Sequence, residues 1–157
     1  MILILNSKRR TAAAAVELAI CLPFLLIVIS GIWEVGRMVQ AQQLIANAAR
    51  EGGRQAAAGV NDNATICQYV VNYMTMNGLT GVTTSNVTLT NITAAARSNP
   101  QTATQLDQFR VTVTVPYSTI RWSTLAQITQ TSTLTASADW YSMKDSPISV
   151  STTIPTN

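Results

Sequence analysis

Histidine is missing altogether from this 157-residue chain. Its absence removes His-based triads, most zinc sites and the commonest general base together. Cysteine is nearly missing as well: Cys21 falls inside an apolar run and Cys67 lies far beyond it. Two thiols so placed make no disulfide framework; Cys21 reads as a small apolar residue and Cys67 as a buried thiol. Charge is scarce, 11% of residues against 47% hydrophobic, which suits a membrane-tethered chain better than a cytosolic enzyme. Outside Lys8, Arg9 and Arg10 the charges nearly cancel, so no basic patch is left for nucleic acid. The acids Asp62, Asp107, Asp139 and Asp145 fall one per element, with no D-x-D spacing for calcium and no paired-carboxylate arrangement. No Gly-rich phosphate loop follows any strand. The composition therefore predicts no metal, no cofactor, no small-molecule substrate and no catalysis.

What is present is an apolar run from residue 11 to 33, TAAAAVELAICLPFLLIVISGIW, carrying the single charge Glu17 and preceded by Lys8, Arg9 and Arg10. The 22 residues from Ala12 to Trp33 match the ~20 that a helix needs to cross hydrocarbon. A removable signal would end in a small-residue cleavage site, but Glu34-Val35-Gly36-Arg37 is a poor one and Val39-Gln40-Ala41 a weak one. A retained anchor is the expectation. The basic cluster ahead of the run puts the N-terminus in the cytoplasm and the C-terminal bulk across the membrane. Pro23 is tolerable inside a membrane helix, where it would kink the axis, and Trp33 stands where an interfacial aromatic belongs.

Helical periodicity continues past the run through Ala41, Leu44, Ile45, Ala48 and Ala49, so one helix is predicted over about residues 10–58. Roughly half of its ~70 Å would stand outside the lipid. Glu34 with Arg37 and Glu51 with Arg54 read as i,i+3 ion pairs on a solvated face, with a contact to another subunit as the second reading of Glu34 and Arg37.

A small head follows. Asp62 or Asn63 caps a helix whose apolar positions are Ile66, Tyr69, Val70, Tyr73 and Met74, closed by Asn77-Gly78. Three alternating segments then read as strands: Asn86–Thr93, Phe109–Val115 stopped by Pro116, and Leu134–Tyr141. Segments 94–105 and 117–130 read as loops, with Trp122 tucking the second onto the sheet. The fold class expected is α+β: a long N-terminal helix, then one helix packed on a three- to four-stranded antiparallel sheet. The divisions are 1–12 as a basic cytoplasmic leader, 13–58 as the membrane helix with its extension, 59–143 as the head and 144–157 as a flexible tail. The triplets at Asn63, Asn86 and Asn91 match the N-glycosylation pattern, but in an Asn- and Thr-rich domain they carry little weight.

Taken together, Arg9-Arg10 before small residues, Val16-Glu17-Leu18-Ala19, Leu22-Pro23, Gly31-Ile32-Trp33-Glu34-Val35-Gly36-Arg37 and Ala48-Ala49-Arg50-Glu51-Gly52 resemble the N-terminal region of the TadE-like family, minor pilins of the tight-adherence pilus system. The resemblance covers about residues 9–55. It implies a membrane-embedded prepilin peptidase that cuts five residues before a glutamate, which here falls between Ala12 and Ala13 and makes Glu17 the fifth mature residue. Ala12 stands where the family usually has Gly. A freed amine at Ala13 could then neutralise Glu17 of a neighbouring subunit, since either charge alone is costly in lipid. The bland reading keeps Glu17 near the interface, snorkelling toward Lys8–Arg10 or the headgroups.

The function so implied is a single-pass inner-membrane minor pilin, packing against other pilin subunits and the assembly machinery through Pro23, Gly31, Trp33, Glu34 and Arg37. Two rivals remain: a secreted or tethered β-rich domain binding a surface ligand, and a tethered hydrolase built on Lys144 or paired acids.

Overall fold

The computed structural model describes residues 3–120 and 132–144, with side chains from residue 13 onward. Its first element, α1, is one helix over Leu3–Ala58 with Pro23 inside it. The helix therefore starts earlier than predicted, and residues 3–12 continue into the apolar run without a break. Gly59, at φ 64°, ends it.

The helix α2, Asn63–Met76, begins as the sequence indicates: the Asp62 carboxylate accepts from the Thr65 backbone N–H at 3.0 Å. Its far end is a Schellman closure. Leu79 N–H donates to Met74 O and Gly78 N–H to Thr75 O, with Gly78 at φ 89° where a side chain would be strained. Leu79 and Met74 are both buried there. The buried face of α2 is Ile66, Val70, Val71 and Met74. Tyr69, expected on that face, is instead exposed, and Val71 takes the inward place.

The sheet is antiparallel in the order β1 (Val87–Asn91), β2 (Gln108–Pro116), β3 (Thr133–Tyr141). Leu89 pairs with Val111 and Val111 with Ala138, so the apolar residues of all three strands share one face. The opposite face carries Thr88, Thr112 and Ser137 in one row and Thr90, Arg110 and Asp139 in the next. Segment 94–105 contains two single 3-10 turns, Ala95–Arg97 and Pro100–Thr102. Pro116 is the last residue of β2 and leads into a single helical turn, α3, Tyr117–Ile120. Trp122 and the tail beyond Lys144, including Asp145, lie outside the described residues.

The core draws on α1 as well as on the elements that follow residue 59. Ala41, Ile45, Ala48, Ala49 and Ala56 of α1 are buried in one cluster with Val70, Met74, Phe109, Val111 and Val113. The extension of α1 is thus the central helix of the head rather than a bare stalk below it. Two consecutive glycines show how closely it approaches. A Cβ on Gly52 would sit 2.6 Å from Val70 Cγ2, and one on Gly53 would sit 2.0 Å from Trp140 Cδ1. Small residues at 48–57 let backbone press on the sheet, and Trp140 lies over the gap that Gly53 leaves.

Candidate functional site

From Ala13 through Ile29 α1 is exposed throughout, and the helix is long and apolar enough to cross a membrane. Twelve large apolar side chains between Val16 and Trp33 are exposed. Burying such side chains is worth ~1.5–3 kcal/mol each, so leaving them in water forgoes on the order of 20–30 kcal/mol. A whole domain is stable by only about 5–15 kcal/mol, so moving this surface out of water, into lipid or against other helices, would be a strongly favourable term. Glu17 sits one turn beyond Ala13, exposed amid these residues, and no ion pair among the described residues includes it. Pro23 and Gly31 lie on the same bare segment, and a Cβ added at Gly31 would meet nothing.

Residues 12–54 match the family model described as TadE-like protein. The matched stretch is a little over a quarter of the chain. It unites the exposed apolar helix with the glycine-rich half that the head packs upon, while the sheet lies outside it. No curated protein and no solved structure matches the chain.

At the end of the apolar segment the TadE-like stretch meets the head. Glu34 and Arg37 do not pair with each other, which corrects the i,i+3 reading. Each is taken by α3 instead. The Tyr117 hydroxyl donates to Glu34 Oε1, and Arg37 Nε donates to Ile120 O at 2.9 Å. Tertiary partners win because Tyr117 and Ile120 are themselves buried against the helix and bring a fixed donor and a fixed acceptor. Glu34 Oε2 is buried with no hydrogen-bond partner among the described residues. Desolvation, then the Glu34 carboxylate beside it, pushes the Tyr117 hydroxyl up to about 12, so it stays a donor. The tucking expected of Trp122 lies outside the described residues; Tyr117, directly after Pro116, anchors the part of that segment that is described.

The second predicted pair does form: Arg54 reaches Glu51 at 2.5 Å and, with Gln55, holds that carboxylate below its usual range. Two further ion pairs stabilise the head. Arg110 and Asp139 meet across β2 and β3 at 2.6 Å. Asp107 is buried and accepts two bonds from Arg97, at 2.8 and 2.7 Å, and a third from Thr104 N–H at 3.0 Å. The guanidinium, followed by these other donors, keeps Asp107 well below the ordinary carboxylate range.

Of the acids named for a hydrolase, Asp139 is paired with Arg110 and Asp145 lies outside the described residues. Lys144 Nζ donates to Gln101 O, and Ser142 Oγ accepts from the Lys144 backbone N–H. Among the described residues no three His, Cys, Asp or Glu side chains gather as a metal site. Cys67 is half-buried against Asn63 Oδ1 and Val87 O, and burial pushes its thiol up.

Proposed function

We propose that this chain is a membrane-anchored minor pilin of a tight-adherence type pilus or related secretion apparatus. It spans the inner membrane once, N-terminus in the cytoplasm and head outside, and assembles with other pilin subunits by lateral packing of α1. Prepilin peptidase is the partner that would cut between Ala12 and Ala13.

The observation that carries this reading is Glu17, an acid on a bare apolar helix within the TadE-like match. A solitary carboxylate in hydrocarbon is costed at several kcal/mol, and a cation from a neighbouring subunit offsets that cost only in the right register. The exposed Gly31, with open space at its Cβ position, suits close approach of a second helix. A secreted product beginning near Gln42 fits poorly. That cut falls inside the unbroken α1, beside buried Ala41, and would sever Glu34 and Arg37 from Tyr117 and Ile120.

The experiment replaces Glu17 with Gln in the producing cell. The expected result is a protein that still enters the membrane and folds its head but no longer supports pilus output or maturation. Unchanged output and unchanged maturation would overturn the proposal.

A further inference from the structure

Directly above the apolar segment, α1 carries a second feature that its contact with the head does not use. Trp33, Gly36, Arg37 and Gln40 lie on one side of the helix and border a shallow, open hollow of about 260 Å³. Their spacing, i, i+3, i+4 and i+7, puts them on a single face. Arg37 spends only its Nε–H on Ile120 O; its two terminal nitrogens make no hydrogen bond among the described residues, and no carboxylate there pairs with it. Glu34, the nearest acid along the helix, is turned toward Tyr117 and does not line the hollow. Among the described residues, nothing lies within 4 Å of a Cβ built at Gly36.

We infer that this hollow is a binding site for the phosphodiester headgroup of an anionic glycerophospholipid. The inference rests on the reading of residues 13–33 as a membrane span. That span fixes the height of the site: Arg37 lies one turn beyond Trp33, at the level of the phosphates rather than the acyl chains. The two terminal guanidinium nitrogens, engaged by no described residue, form the fork that takes phosphate oxygens in pairs. Held by its Nε, the fork is already oriented, so less side-chain freedom is lost on binding. Gln40, one turn higher, offers an amide to headgroup hydroxyls, and the exposed Trp33 indole lies beside the glycerol and upper acyl region. Gly36 leaves the room through which the headgroup approaches the backbone. The head would then rest against the outer headgroup layer, fixed by Arg37 on both sides.

The test uses the full-length protein in detergent micelles doped with phosphatidylglycerol, with bound lipid counted by native mass spectrometry. The wild type should retain phosphatidylglycerol when detergent is stripped, and excess inorganic phosphate should not displace it. Gly36→Leu fills the hollow without touching the Arg37–Ile120 bond and should weaken retention about tenfold, the effect of losing charge-assisted hydrogen bonds. Arg37→Gln should do the same, and near-ultraviolet circular dichroism of Gly36→Leu should match the wild type. Equal retention by wild type and Gly36→Leu would overturn the inference, as would displacement by inorganic phosphate, which would mark a free-anion site. Flotation with vesicles reads the apolar segment alone: if all variants float while lipid retention is equal, the span stands and only the headgroup site falls.

Discussion

Leu106 holds a left-handed backbone, φ 65°, at a turn where Asp107 N–H donates to Thr104 O, and its side chain is 67% exposed. A branched residue there costs ~1–2 kcal/mol that glycine does not incur. Leu106→Gly should therefore raise head stability by about 1 kcal/mol, read from chemical unfolding of the detergent-solubilised protein. Gly53 predicts the opposite sign. Alanine there gains helix propensity but drives a methyl into Trp140, and overpacking of this kind costs about 1–3 kcal/mol. Gly53→Ala should thus lower stability, while Gly36→Ala, with open space, should not. Asp107 supplies a pH dependence. Its folded carboxyl titrates below the unfolded one, so its contribution is complete above the ordinary aspartate range. It fades as pH falls from about 4 toward the depressed value. Asp107→Asn should flatten that acid limb and cost about 2–3 kcal/mol near neutrality.

Among elements, the junction between α1 and α3 depends most on one hydrogen bond. Tyr117→Phe leaves the partly buried Glu34 carboxylate with no donor, which should cost about 1.5–3 kcal/mol. Glu34→Gln keeps an acceptor for the hydroxyl and removes the charge, so it should cost less. Thermal unfolding of the two variants checks that order. With Tyr117 raised above the unfolded value of 10.0 by burial and then by Glu34, its contribution is whole below that pH and is lost as pH rises toward about 12.

The elements themselves were largely legible. Ile66, Val70 and Met74 at helical spacing, with Asp62 before and Gly78 after, define α2, and the alternation from Phe109 to Val115 defines β2. The partners of these faces were less legible. Periodicity marks Ala41, Ile45 and Ala48 as apolar, yet nothing local says that they cover the sheet. Tyr69 fits the apolar period but, with a polar tip, lies outward while the smaller Val71 is buried. Glu34 and Arg37 have pairing distance along the helix, and only the fold reveals that Tyr117 and Ile120 reach them first.

For the whole molecule, one continuous helix serves two environments. Residues 13–33 are an exposed apolar surface with one acid; the residues beyond are the spine of a folded domain, joined to it at Glu34 and Arg37. A continuous helix of this kind couples the orientation of the head to that of the apolar segment. Gly31→Leu should accordingly leave the unfolding of the head unchanged, since no described residue lies within 4 Å of a Cβ there, and, on the proposed lateral packing of α1, reduce crosslinking to other subunits.

The central claim is that this span is kept and used. Intact-mass analysis of the protein recovered from cells, with membrane and soluble fractions separated, tests it most directly. The account predicts a membrane-bound species beginning at Ala13 or still carrying Met1. A soluble species beginning near Gln42 would contradict it.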